Sequence, residues 1–225
     1  MPHTPPPHPL FAGKPTVIGR ATSINVRKVL WTCAEIGLDH HFDSDWVGDA
    51  AVRRRDELLA LNPNGQFPVL VEGEGAQRQV LWQSNTICRH LATVAGRDDL
   101  LPTAPRARAV VEQWMDWQVS DLNPAWRYAY LALVRRMPGF THADEIAASV
   151  TAWNQAMVLL DRQLARTGAH VTGPTFTLAD IVLALSANRW RLTPMDHAHC
   201  PAVDAWLDRL AVRPGFTAHV GPGIP

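Results

Sequence analysis

The apolar positions of the N-terminal part of the chain change period several times, and each change marks an element. Residues 15–19 (Pro-Thr-Val-Ile-Gly) form a short apolar run suited to a strand. From Asn25 the spacing turns helical, with Val26, Val29, Leu30, Cys33 and Ile36 on one face. Gly37 stands where a helix end takes a left-handed residue, and Leu38 follows to pack back on the last turn. Residues 40–43 fit a second strand and residues 53–61 a short helix. Residues 67–71 (Phe-Pro-Val-Leu-Val) predict a buried strand entered through a proline. Residues 79–82 (Gln-Val-Leu-Trp) predict its hairpin partner, across the polar, glycine-containing turn 72–76. Ser84 is read as the cap of a helix that runs through Ala95 and ends at Gly96. After Leu101-Pro102 the periodicity is helical throughout. Helices are predicted over 105–120, continuing beyond Pro124 towards Arg136, then over 143–167, 178–192 and 203–212.

The order β-α-β-α-β-β-α is that of a thioredoxin-like domain: parallel strands require helical crossovers, and the last pair is an antiparallel hairpin. The expected fold class is therefore α/β plus all-α, a thioredoxin-like N-terminal domain followed by an α-helical bundle domain. Its expected divisions are an arm at 1–13, the α/β domain at 14–96, a linker at 97–104 and the helical domain at 105–225. The arm begins Met-Pro-His-Thr-Pro-Pro-Pro-His-Pro, which lacks the apolar stretch of a secretion signal and is expected to be disordered or extended.

Composition narrows the chemistry. Lys+Arg and Asp+Glu both number 21, a balance that gives no support to a nucleic-acid or anionic-membrane role. No run is apolar enough to span a bilayer. The three cysteines, Cys33, Cys88 and Cys200, are odd in number and lack a C-x-x-C pair. That argues against a disulfide scaffold or a cysteine zinc site and points to a reducing, cytoplasmic compartment. The ten histidines show no metal-ligand spacing, so no metal is expected; His40-His41 and 195–200 (Met-Asp-His-Ala-His-Cys) read as loop residues.

Three segments carry candidate chemistry. In Asn62-Pro63-Asn64-Gly65-Gln66-Phe67-Pro68, two prolines flank a turn-forming Asn-Gly pair. In a thioredoxin-like domain a proline at the start of this strand is expected to follow a cis bond, turning the N–H and C=O of Phe67 outward to pair with an extended peptide. In Trp82-Gln83-Ser84-Asn85, a hydroxyl and the first free amides of a helix favour a carboxylate, while Gln83 offers a donor and an acceptor beside it. Such a corner suits an amino-acid head group. Ala21-Thr22-Ser23-Ile24-Asn25 opens the first helix, where hydroxyls and amides stabilise an anion, including a thiolate. Ser23 and Asn25 are the candidates there, with Thr22 close behind, and the residues alone do not choose among them. Simple helix capping is the competing reading of this segment and of Ser84.

In combination these motifs resemble the cytosolic glutathione transferase family from about Lys14 to Phe216: the N-P-x-G-x-x-P strand entry, the Q-S corner and the S-x-N-x-x-K helix start occur in the family's order. Phe176-Thr177-Leu178-Ala179-Asp180-Ile181 resembles the family's helix-capping signature, with Thr177 as N-cap and Asp180 at N3. It is read as structural, worth about 1 kcal/mol of helix stability per residue.

The resemblance implies glutathione as co-substrate and transfer of its thiolate to a small apolar electrophile, in detoxification. The glutathione cysteine would pair with Phe67, ahead of Pro68, the γ-glutamyl carboxylate with Ser84 and Gln83, and the glycine carboxylate with Gln66. Ser23, helped by Asn25, would hydrogen-bond the thiolate. The only tyrosines are Tyr128 and Tyr130, so a Tyr-type site is excluded, and Cys33 lies too far inside its helix for mixed-disulfide chemistry. A homodimer is implied, with Asp116 reaching the γ-glutamyl amine of the partner's site. Trp126, Tyr128 and Tyr130 would line the electrophile pocket, between the domains. A glutathione-dependent isomerase, dehalogenase or peroxidase fits the same site start, as does a glutathione-binding or interaction protein of low activity.

Overall fold

The computed structural model describes residues 13–46, 48–220 and 223. The expected arm, residues 1–13, lies outside the described residues except for Gly13. The chain divides into two compact units, Met1–Leu101 and Pro102–Pro225.

The first unit runs β1 (Thr16–Ile18), α1 (Ile24–Ile36), β2 (His41–Asp43), α2 (Gly48–Arg53), α3 (Arg55–Leu61), β3 (Val69–Glu72), β4 (Gln79–Trp82) and α4 (Ser84–Val94). Its sheet has the order β2-β1-β3-β4, with β1 parallel to β2 and antiparallel to β3, and β3 antiparallel to β4. This is the thioredoxin-like arrangement. Strand alternation sorts the side chains between the two faces. Ile18 and Val69, register partners, pack with Trp46 and Leu58 and with the half-buried Leu61, Phe67 and Val80. Their neighbours Val17 and Leu70, also partners, are fully buried on the opposite face. Helix α1 ends as expected: Gly37 takes φ 67° and the Leu38 N–H donates to the Cys33 carbonyl at 2.9 Å.

Besides shifts of one to a few residues at other ends, three differences from the sequence expectation have a plain physical cause. The single helix over 53–61 is two helices broken at Arg54; α2 buries no residue, so it carries no apolar stripe to read. Strand β3 starts at Val69 rather than Phe67, since Pro68 has no N–H to give the ladder. Ser84 is the first residue of α4 rather than its cap; that position belongs to Gln83, whose φ of 73° and ψ of 110° turn the chain sharply from β4 into the helix.

The second unit is helical: α5 (Pro105–Trp117), a π-helical turn (Gln118–Leu122), α6 (Asn123–Leu133), α7 (Ala143–Thr167), α8 (Leu178–Leu192), α9 (Pro201–Leu210) and α10 (Pro214–His219). The π turn carries the chain from α5 into α6, and Pro124 is tolerated because it falls in the first turn of α6. Helix α8 is buried along almost its whole length. At its start the Thr177 N–H donates to Asp180 Oδ2 at 2.9 Å, completing one arm of a capping box. Asp180 Oδ1 also accepts from the Val171 N–H at 2.9 Å and from Trp206 Nε1 at 3.0 Å.

Candidate functional site

The strand entry is organised by one buried side chain. Asn62 Nδ2 donates to the Gln66 carbonyl at 2.7 Å, and its Oδ1 accepts from the Asn64 N–H at 3.0 Å. The Gly65 N–H closes the turn on the Asn62 carbonyl at 2.8 Å. This asparagine therefore sets the path that delivers Phe67 and Pro68. The Phe67–Pro68 bond is cis. Phe67 lies outside the β3 ladder, and its amide and carbonyl take part in no backbone hydrogen bond among the described residues. Its ring packs edge-on to Trp46 at 5.4 Å between centroids. Gln66 is exposed on the turn.

Phe67 and α1 approach each other across Gly19, the residue after β1. A Cβ there would lie 2.5 Å from Val26 Cγ2 and 3.2 Å from Phe67 Cβ, and the glycine φ is 156°. Only a residue without a side chain fits between the helix start and the strand entry.

Ser23 is the N-cap of α1 with an extended backbone, yet its side chain makes no capping hydrogen bond. The Ser23 N–H donates to the Arg20 carbonyl at 2.9 Å, which fixes the turn before the helix, while the hydroxyl is half-buried and makes no hydrogen bond among the described residues. Asn25 is half-buried and Thr22 exposed. At the other corner the Ser84 hydroxyl is buried, 7 % exposed, beside the first amides of α4, and Gln83 is exposed. The positive φ of Gln83 costs about 1–3 kcal/mol for a residue with a side chain, a cost that concentrates at binding sites. The two helix starts are tied from beneath: Lys28 of α1, fully buried, donates from Nζ to Asn85 Oδ1 of α4 at 3.3 Å.

The remaining candidates lie in the helical unit. Asp116 is exposed on α5, and its carbonyl accepts from the Ser120 hydroxyl at 3.0 Å. Trp126 and Tyr130, one helical turn apart on α6, pack edge to face at 5.4 Å, and the Arg189 guanidinium lies 4.6 Å and 4.1 Å from their ring centres. Trp153 joins Trp126 at 6.1 Å, so these two candidates belong to one packed aromatic cluster. Tyr128 points elsewhere. It meets Phe140 at 5.1 Å and lines a cavity of about 420 Å³ with Pro124, Ala125, Asp144, Glu145 and Ser149. The helix period separates it from the other two.

Comparison with known proteins adds the decisive observation. Residues 22–94 match the family model described as the glutathione S-transferase N-terminal domain. Over 200 residues the chain is 32% identical to glutathione S-transferase GstB of Escherichia coli, covering 88% of this chain and 94% of that protein. Glutathione S-transferase 3 of Zea mays is likewise 32% identical, over 88% of this chain and 89% of its own. The chain belongs to the glutathione transferase family. Among solved structures, the theta-class glutathione S-transferase of Xanthomonas axonopodis pv. citri, crystallised with glutathione bound, is 34% identical with a TM-score of 0.80, covering 92% of this chain and 96% of that one.

For a glutathione transferase, the thiols of the protein itself are placed out of reach. Cys33 and Cys88 are fully buried, and all three cysteines are unpaired. Burial pushes the Cys88 thiol up to about 11 and the Cys33 thiol higher still. Two residues beside Phe67 were not singled out by the sequence: Trp46, from the loop after β2, and Arg20, whose Nε donates to the Trp46 carbonyl at 2.7 Å. Neither falls in a recognisable motif; an Arg following a strand-end glycine was the only signal.

Proposed function

We propose that this transferase activates the glutathione thiol as a thiolate at the start of α1 and transfers it to a small apolar electrophile. The observation that carries the reading is the Ser23 hydroxyl: it occupies the N-cap position and leaves its own helix uncapped. An N-cap serine ordinarily bonds the N2 or N3 amide. A hydroxyl left without that bond is available to donate to a thiolate, reinforced by the positive end of the helix dipole. The thiol proton leaves to solvent, and sulfur attacks the electrophile by addition or by displacing its leaving group.

The rest of the tripeptide is assigned along the first unit. The glutathione cysteine backbone pairs with the N–H and C=O of Phe67, which are not used by the sheet. The γ-glutamyl carboxylate sits on the Ser84 hydroxyl and the first amides of α4, with the Gln83 amide beside it. Gln66 is assigned the glycine end, Asn25 and Thr22 support Ser23, and Asp116 reaches the γ-glutamyl amine of a partner subunit in a homodimer. Tyr128 is the α6 residue we assign to the electrophile, because it lines an open cavity whereas Trp126 and Tyr130 are packed against Arg189. Unpaired cysteines suit a detoxification enzyme of the reducing cytoplasm.

Retention on immobilised glutathione and conjugation to an aryl halide test the reading. Binding without turnover across a broad electrophile panel would sink the transfer step. Ser23→Ala is expected to raise the pKa of the bound thiol by about one unit or more, equivalent to about 1.4 kcal/mol of lost thiolate stabilisation. Titration of the thiolate ultraviolet absorbance measures it, and an unchanged value moves the role to Thr22 or Asn25. A light-scattering mass close to that of one 24.9 kDa chain would refute the dimer.

A further inference from the structure

Three arginines of the first unit differ in what they already hold. Arg54 is saturated by carboxylates: its Nη1 and Nη2 donate to Asp43 at 3.1 Å and 2.8 Å, and its Nε and Nη2 to Glu57 at 2.8 Å each. Its guanidinium carbon also lies over Trp46, 3.8 Å from the ring centre. Arg97 is closed in the same way, on Asp99 at 2.7 Å through Nε and Nη2 and on the Glu35 carbonyl through Nη1. Arg20 has no acidic partner among the described residues. It donates only through Nε, to the carbonyl of Trp46 at 2.7 Å, and neither terminal nitrogen makes a hydrogen bond among the described residues.

That single bond does specific work. A guanidinium held at Nε by a neutral carbonyl keeps its full charge and has its plane fixed, and its Nη1/Nη2 edge remains open. This edge is the fork that matches a carboxylate with two parallel N–H···O bonds. Its location is equally specific. Arg20 opens the turn that ends at Ser23, and its Cζ lies 5.8 Å from the Phe67 ring centre. An exposed cation, anchored at Nε, therefore stands beside the proposed peptide-pairing residue and three residues before the proposed thiolate residue.

We propose that Arg20 is a carboxylate-recognising residue of this site. The inference rests on the glutathione reading above and deepens it. A carboxylate can come from two sources, the glycine end of glutathione or an acidic group on the electrophile, and both use the same fork. In the first case Arg20 sets glutathione affinity, taking the role assigned above to Gln66. In the second it biases the enzyme towards acidic electrophiles.

Two matched ligand pairs distinguish the sources. Calorimetry compares glutathione with its glycine ethyl ester, on wild type and Arg20→Gln. Steady-state kcat/KM compares chloronitrobenzoate with chloronitrobenzamide on the same two proteins. If glutathione is the source, wild type prefers glutathione over the ester by about tenfold or more and Arg20→Gln removes that preference. If the electrophile is the source, the ester ratio is unchanged and the preference for the benzoate over the amide disappears in the variant. Arg20→Lys, which keeps the charge without the fork, is expected to retain part of whichever ratio Gln removes. If neither ratio changes on Arg20→Gln, the proposal is overturned. A turn merely loosened by loss of the Trp46 contact lowers both members of a pair together, leaves the ratios intact and counts against it in the same way. Wild type that binds no glutathione at all defeats the parent reading instead, before any variant is made.

Discussion

With no exposure, Asp180 accepts from the Thr177 and Val171 amides, both at 2.9 Å, and from the indole of Trp206 at 3.0 Å. Removing its carboxylate strands these donors in the interior, where each unsatisfied group costs about 1–3 kcal/mol. Asp180→Ala is therefore expected to lose about 3 kcal/mol or more in urea unfolding, whereas Thr177→Ala loses about 1 kcal/mol as an ordinary cap. The capping pair was legible in the sequence because its members are three residues apart. Trp206 is 26 residues from Asp180, and nothing local announces that its N–H ends on that carboxylate. The same reason hid Arg20: its meaning depends on Trp46 and Phe67, brought beside it by the sheet. Ser23 was legible as a member of a trio, and the missing cap bond is what separates it from a plain helix start.

Among the elements, β1, α1 and the β3 entry are held in one relation by Gly19. Gly19→Ala would place a carbon 2.5 Å from Val26 and 3.2 Å from Phe67 on a backbone with φ of 156°, so helix or strand must move. The expected result is a lower Tm and, in the protein that still folds, weaker glutathione affinity by calorimetry; an unchanged affinity would mean that Phe67 keeps its place. A second joint ties β2 to α3. Arg54 holds the Asp43 and Glu57 carboxyls below the usual carboxylate range, mainly by donating hydrogen bonds to them. Their folded pKa values lie below the unfolded ones, so the stabilisation is present at neutral pH and lost as pH falls through the folded values. Both groups are partly exposed, and solvent keeps the effect small. Between about pH 5 and pH 3, wild type should lose stability more steeply than Arg54→Met, as read by denaturant midpoints. Helix α1, with its apolar stripe, was readable from periodicity, and α4 from the residues at its two ends. Helix α2 was not, because it buries nothing, and the start of β3 moved because the proline that flags the strand cannot join its ladder.

For the whole molecule, ligand linkage gives the broadest check. Glutathione at a hundred times its dissociation constant should add about 2.7 kcal/mol to unfolding stability and raise Tm with concentration. A Tm indifferent to glutathione in a differential scanning series would contradict binding to the native state. The order of elements and the family were both legible, since they depend on local pattern and on motifs in sequence order. The different surroundings of Trp126, Tyr128 and Tyr130 were not, because they are set by the partners that Arg189, Trp153 and Phe140 provide. The division at Leu101 carries a consequence for how such a chain can change over generations. In the proposed reading the residues assigned to glutathione, Asp116 apart, precede that boundary, and Tyr128, assigned to the electrophile, follows it. On that reading inheritance could treat the two halves differently: changes in the second half would explore new substrates while the first half keeps the same co-substrate.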